Sequence, residues 1–321
     1  MEPEILFSII IPVKNGDHWL ENLFQKLMQQ TLIGRSEIII IDSGSTDGSL
    51  EIIKKYPVKL IQVPASEFNH GETRNVGVRE AKGKYVVMTV QDAVPMSDMW
   101  LQYFLDAFIN ENVVGVCGQQ LVPHDLDKNP VQWFRIFSSP KKELHHYDNP
   151  ADLLNLSPKE QRQNAGLDNV TAAYNREVLL QHPFPKIDFG EDIFWAREML
   201  LKGYTLASDD EIRVFHYHHY SGAFIIPRYF SVYYFEYKLF KAIPEVTTSF
   251  LMYILSCIKI LLKERSVSWK GKFKWLIFNI RYKIACNKAI AIFNSALDKG
   301  EDFLDAQYQQ ICNKVPQAPK Y

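Results

Sequence analysis

Hydrophobic and polar positions alternate along this chain in blocks rather than residue by residue. Residues 7–13 (FSIIIPV) form a continuous apolar run, the pattern of a strand buried on both faces. Pro12 and Lys14-Asn15-Gly16-Asp17 end it in a turn. Trp19, Leu20, Leu23, Phe24, Leu27 and Met28 then recur at helical spacing to about Gln30. A second run, Glu37–Ile41, stops at Asp42-Ser43-Gly44-Ser45-Thr46-Asp47-Gly48-Ser49, and a helix carrying Leu50, Ile52 and Ile53 leads to a short strand at Val58–Val63. Phe68-Asn69-His70-Gly71 opens a helix with Arg74, Asn75 and Val78, closed by Gly83. Tyr85–Val90 is the next buried strand, followed by a helix at Trp100–Ile109 and a strand at Val113–Gln120. Alternation of this kind predicts an α/β fold whose mostly parallel sheet is joined by right-handed crossovers.

The pattern breaks down between about Pro123 and Gln163, a polar stretch with Pro123, Pro130, Pro140, Pro150 and Pro158 and the His145-His146 pair. Its length predicts either a mobile lid or a substrate-facing insertion. Order returns at Asn169–Asn175. Phe189-Gly190-Glu191-Asp192 opens a helix over Ile193–Leu201, ended by Gly203, and Val214–Ser221 (VFHYHHYS) is the last signal of the first unit. Two domains are therefore expected, 1–221 and a helical region 222–321. Residues 224–262 of the latter are rich in aromatics and aliphatics. Residues 263–288 carry eight Lys or Arg against one acid, Glu264, with Trp269, Phe273, Trp275, Leu276, Phe278 and Ile280 among them.

Composition narrows the function classes. The net charge of −1 over 321 residues provides no global field for nucleic acid, and no nucleic-acid-binding motif accompanies the basic segment. Cys117, Cys257, Cys286 and Cys312 are scattered without CxxC spacing, which suits a reducing cytosol better than a disulfide framework or a zinc site. Glu2 and Glu4 precede the first apolar run where a secretory leader would be basic. Phe250–Leu262 contains Lys259 and falls short of the roughly 20 residues that span a bilayer. A cytoplasmic protein is expected. Basic and aromatic residues interleaved over 224–321 fit a helix lying on an anionic membrane surface, or a helical subdomain with solvated lysines.

Candidate chemistry gathers at strand ends, where open α/β sheets place their ligands. Asp42 ends one strand, where it could accept hydrogen bonds from a base or ribose; the loop after it could equally be an N-cap. That loop is neither a Walker A loop nor GxGxxG. Asp92 follows the Tyr85–Val90 strand, placed to hold a divalent cation on a nucleotide diphosphate. Glu191-Asp192 starts a helix, where paired carboxylates serve more often as caps than as catalysts. His216, His218 and His219 cluster beyond a strand-like Arg213–Phe215.

Together IIIPVKNG, IIIDSGSTDGS, FNHGETRN and the Gln91-Asp92-Ala93 triplet resemble the inverting family 2 glycosyltransferases of GT-A fold, above all their bacterial rhamnosyltransferase-like branch. The resemblance covers about residues 5–221. It implies that Pro12, Val13, Lys14, Asp42 and Ser43 line the nucleotide, that His70, Gly71 and Arg74 lie near the diphosphate, and that Val90-Gln91-Asp92 stands at the usual Asp-x-Asp metal motif, with Val90 at its first position. Only its second acid is kept here. Asp192 takes the position of the general base, with Glu191 orienting the acceptor or capping the helix. His216, 24 residues later, takes that of a metal-binding histidine, with His218 as the fallback. The implied cofactor is Mg²⁺ or Mn²⁺, bound through one carboxylate, an imidazole and the substrate's own phosphates. The implied donor is a nucleotide sugar, dTDP-rhamnose or else a UDP-hexose or UDP-N-acetylhexosamine. The acceptor would be a glycan or lipid-linked glycan. An inactive nucleotide-sugar-binding scaffold is the rival of a different class.

Overall fold

The computed structural model describes residues 4–109, 112–133, 141–187, 189–218, 220 and 222–312. The chain divides into two compact units, one of residues 1–121 and 136–217, the other of residues 122–135 and 218–321. The second unit thus takes a short segment from the middle of the chain, which no pattern along the sequence signals.

In the first unit, β1 (Phe7–Val13), α1 (Asp17–Met28), β2 (Ser36–Asp42), α2 (Ser49–Ile53), β3 (Lys59–Gln62), α3 (His70–Glu80) and β4 (Tyr85–Thr89) follow the predicted alternation. Each strand of this half is paired in parallel with its neighbour, in the order β3-β2-β1-β4. The chain continues through β5 (Val94–Pro95), α4 (Trp100–Ala107), β6 (Val113–Leu121), β7 (Glu143–His145), α5 (Pro150–Leu154), α6 (Pro158–Asn164), β8 (Thr171–Asn175), α7 (Arg176–Gln181), α8 (Glu191–Leu201) and β9 (Thr205–Phe215). The sheet extends from β4 as β8-β6-β9-β5, with β7 on β9. β8 runs antiparallel to both β4 and β6, while β6 and β9 are parallel. Because β8 is reversed, it begins at the edge where β4 and β6 end. Ile9, Ile11, Leu20, Phe24, Val87, Trp100, Phe104 and Val116 form the core beneath.

The stretch predicted as a lid or insertion has more regular structure than its prolines suggest. Pro150 and Pro158 are helix starters, where a missing amide costs nothing. Asn149 caps α5, and Ser157 with Glu160 forms a reciprocal capping box on α6. Glu143–His145 adds to the sheet against Leu206–Ser208. Pro140 and His219 lie outside the described residues.

The second unit is helical: α9 (Gly222–Phe240), α10 (Phe250–Lys263), α11 (Trp269–Leu297) and α12 (Glu301–Cys312). Phe230, Phe293, Ala296, Leu304 and Tyr308 make its core. Asn129, from the mid-chain segment, exchanges two hydrogen bonds of 3.0 and 3.1 Å with Asn279 of α11, and both residues are buried. Among the described residues no helix is long and apolar enough to cross a membrane.

Candidate active site

The loops after β1 and β2 are knitted to each other by side chains. Asn15 donates its amide to Ser45 Oγ at 2.9 Å and accepts from the Thr46 amide at 2.8 Å. Gly16 N donates to Ser49 Oγ at 2.7 Å. Asp42 is fully buried, and its carboxylate accepts from the amides of Gly44 and Ser45, so it shapes the turn from within. Ser43 donates both its amide and its hydroxyl to the Val13 carbonyl. The Val13 side chain belongs to the core, whereas Pro12 and Lys14 are half-buried at its rim.

Gln91 ties this loop pair to the end of β4. Its Oε1 accepts from the Lys14 amide at 2.9 Å and its Nε2 donates to the Lys14 carbonyl at 3.2 Å. An aspartate cannot make the second bond, because an ionised carboxylate only accepts. Gln91, the middle residue of Val90-Gln91-Asp92, thus has a structural role in fixing the Lys14 loop. Asp92 follows, with its side chain about 10% exposed, and its Oδ1 lies 3.6 Å from Nε2 of His216. His216 is delivered by the end of β9, where its amide continues the ladder onto the Leu121 carbonyl at 2.9 Å. The two donor atoms are closer than the roughly 4 Å across an octahedral Mg²⁺ shell, so one cation can touch both. A carboxylate oxygen and an imidazole nitrogen make a donor set that suits Mn²⁺ better than Mg²⁺. His218, two residues on, is the first described residue of the second unit's main segment.

The start of α8 carries the two acids. Gly190, with φ 77°, makes the left-handed turn that lets the helix begin at Glu191. Glu191 is buried and accepts from Arg74 Nη1 at 2.9 Å and from Asn169 Nδ2 at 3.0 Å. Burial pushes its pKa up, but the Arg74 guanidinium and His70 outweigh that and hold it below the ordinary glutamate value. Arg74 is itself buried and also bonds the His70 carbonyl at 3.1 Å, so its charge meets a carboxylate of the protein. His70 stands exposed at the N-terminus of α3, edge-on to Phe68. Gly71 packs so closely on the chain before α8 that a Cβ would lie 2.2 Å from the Pro185 carbonyl oxygen.

Asp192 is half-buried, with Oδ2 accepting from the Asn169 amide at 2.9 Å and Oδ1 from the Ile193 amide at 2.8 Å. Loss of solvent, then the negative charges of Glu191 and Asp168, push its pKa from 3.8 up to about 7. A carboxylate with that proton affinity can take a proton near neutrality and return it to water.

Asp168, Asn169 and Gln120 were not legible as site residues. Asp168 and Asn169 lie just before β8, and Gln120 is the penultimate residue of β6; nothing local marks them, since their partners lie far away in the chain.

A family model gives the chain's relatives: that for glycosyl transferase family 2 matches residues 8–179. The chain belongs to glycosyl transferase family 2. This transferase is 35% identical over 231 residues to the O-antigen chain rhamnosyltransferase WbaN of Salmonella anatum, covering 70% of each chain. It is 30% identical over 228 residues to the O-antigen chain rhamnosyltransferase RfbN of Salmonella typhimurium, again covering 70% of each. In fold the transferase is similar to the mannosyltransferase PcManGT of Pyrobaculum calidifontis, solved with GDP-Man and Mn²⁺. The TM-score is 0.53 at 18% identity, over 97% of this chain and 79% of that one. It is also similar to residues 1–349 of Staphylococcus aureus TarS, with TM-score 0.51 at 15% identity over 98% and 93%. The expected GT-A architecture, a mixed and mostly parallel sheet with flanking helices and a helical C-terminal region, is the one observed.

Proposed function

We propose that this transferase moves a rhamnosyl group from a nucleotide-activated donor, with dTDP-rhamnose as the first candidate, to a hydroxyl of a growing surface polysaccharide. The observation that carries the chemistry is Asp192, a half-buried carboxylate with proton affinity near neutrality at the loop edge of the sheet. The two O-antigen rhamnosyltransferases at 30–35% identity support the choice of sugar and product. A UDP-hexose or UDP-N-acetylhexosamine donor is the second reading, favoured by TarS having been solved with UDP-GlcNAc.

In this reading the acceptor hydroxyl attacks the anomeric carbon while Asp192 takes its proton. The bond from that carbon to the diphosphate oxygen breaks, and its electron pair leaves with the nucleoside diphosphate. A single displacement inverts the anomeric centre and needs no covalent enzyme intermediate. Glu191, held by Arg74 and Asn169, keeps α8 in register and keeps negative charge beside the base. Pro12, Val13, Lys14, Asp42 and Ser43 shape the nucleotide side, with Gln91 fixing the Lys14 loop; His70, Gly71 and Arg74 build the wall behind the diphosphate. Asp92 and His216 would hold Mg²⁺ or Mn²⁺, which when bound neutralises charge on the leaving diphosphate.

The test is Asp192→Asn, which keeps the side chain's shape and one of its two amide contacts and removes the base. Transfer should fall by ~10²–10⁴-fold, the usual worth of general base catalysis, while donor binding by calorimetry stays within a few-fold. Full activity in this variant would sink the assignment, and donor binding without any transfer in the wild-type chain would favour the scaffold.

We infer further that the second unit meets an anionic membrane, on whose cytoplasmic face a lipid-linked acceptor would be presented. In support, α10 exposes Leu251, Met252, Leu255 and Leu262, and the first turns of α11 expose Trp269 and Phe273. Lys259, Lys263, Lys270 and Lys274 are exposed among them, the combination that suits a helix lying in the headgroup region.

A further inference from the structure

A chain of side chains runs from the candidate metal site back into the first unit, and its members fix one another's hydrogen atoms. Gln120 Nε2 bonds Asp168 Oδ2, and Gln120 Oε1 lies 2.6 Å from His216 Nδ1. Asp168 Oδ1 is taken by the Val170 amide at 3.0 Å. An ionised carboxylate only accepts, so it must face the amide's NH₂. That leaves the amide oxygen for the imidazole, and an oxygen requires Nδ1 to carry hydrogen. A neutral imidazole has one N–H, so Nε2 then holds its lone pair, and Nε2 is the atom on the Asp92 side, 3.6 Å from its carboxylate.

The backbone explains how the pair meets. Gln120 is opposite Val214 in the parallel β6–β9 ladder. His216 lies two residues beyond Val214, hence on the same face.

We propose that Gln120, itself oriented by Asp168, is a positioning residue that locks His216 in the Nδ1–H tautomer and so aims the Nε2 lone pair beside Asp92. The inference rests on the metal reading above only for its consequence. The tautomer itself exists with or without a cation. Neither Gln120 nor Asp168 touches the reacting atoms in this reading. Partners of this kind behind a ligating histidine raise metal affinity by holding ring and tautomer.

The decisive measurement is the tautomer of His216 in the full-length, metal-free chain at pH 8, read from imidazole ¹⁵N shifts and two-bond ¹H–¹⁵N couplings, with His216→Ala assigning the signal. Wild type should show Nδ1–H. In Gln120→Met, similar in length but only a weak acceptor, the Nε2–H form should dominate. In Asp168→Asn, whose amide no longer forces the orientation of Gln120, both forms should appear. Nε2–H in wild type, or Nδ1–H unchanged in Gln120→Met, overturns the proposal.

Calorimetry with Mn²⁺ alone then tests the consequence. Gln120→Met should weaken binding by ~10–100-fold, and the loss should vanish in a His216→Ala background. A wild-type chain with the Nδ1–H tautomer that binds no Mn²⁺ would remove the metal reading while leaving the role of Gln120 standing.

Discussion

At the scale of single residues, the two acids at the start of α8 have opposite fates although they are adjacent. Glu191 has Arg74 within 2.9 Å and keeps its charge; Asp192 has Glu191 and Asp168 as electrostatic neighbours and is pushed toward the protonated form. If Asp192 is the base, kcat/KM should rise about tenfold per pH unit up to about 7 and level off above it. In Glu191→Gln this limb should move to lower pH, because one negative neighbour is gone and Arg74 is left uncompensated; a pH–rate profile of both chains checks it. The sign for stability is opposite. The folded chain holds the Asp192 proton more tightly than the unfolded one. This residue's contribution is therefore present below 3.8 and lost as pH rises to about 7. Glu191, with its lowered pKa, contributes above its ordinary value of 4.5 and loses that as pH falls. Relative to wild type, Asp192→Asn should accordingly be more stable at pH 8 than at pH 5 in urea titrations. A carboxylate destabilised in its ionised form is a cost the fold carries.

At the scale of elements, the ladder between β6 and β9 decides which side chains reach the site. Cys117 pairs with Ser208, but two residues later Gln119 pairs with Arg213, so β9 takes up three extra residues in an irregularity. Three is odd, so the face that β9 presents is reversed beyond it. Without it Gln120 would stand opposite Glu211, and His216 would be carried past the end of β6. Gly118 makes room for this: a Cβ there would lie 2.2 Å from the Ile212 carbonyl oxygen. Gly118→Ala should therefore cost ~1–3 kcal/mol, the range for overpacking, measured by urea unfolding. Loss of the His216 tautomer signal should accompany it. An unchanged stability would mean that β9 can shift away cheaply. The expected strand at Arg213–Phe215 was visible along the chain; the eight residues before it in β9 and the bulge were not.

At the scale of the whole molecule, the chain combines an α/β unit of known architecture with a helical unit that exposes several large apolar side chains. Trp269 is 74% exposed and Phe273 66%, within a segment of nearly uniform positive charge. If this unit meets membrane, the intact chain should sediment with vesicles containing phosphatidylserine and not with purely zwitterionic ones. The double variant Trp269→Ser, Phe273→Ser should lose most of that binding while keeping its fold and its turnover of a soluble acceptor. Equal binding to both vesicle types would dismiss the electrostatic part. No binding to either would leave the helices as a subdomain with solvated lysines.

Continuous apolar runs ending in polar loops determined the strands of the parallel half, because a strand buried on both faces has no room for polar side chains. The run ends at Asp42 and Gln91-Asp92, with IIIPVKNG and FNHGETRN, carried the family resemblance, and Glu191-Asp192 at a helix start completed the candidate acids. Tertiary structure alone decided what surrounds those acids. Arg74 neutralises Glu191 across 117 positions of chain, Gln120 meets His216 across 96 and Asp168 across 48. It also decided that residues 122–135 join the helical unit, through Asn129 and Asn279, 150 positions apart. Periodicity records only which side of an element is buried. The proton affinity of a carboxylate and the tautomer of an imidazole depend on charges and hydrogen-bond partners that distant segments bring within a few ångströms, and no local pattern encodes those.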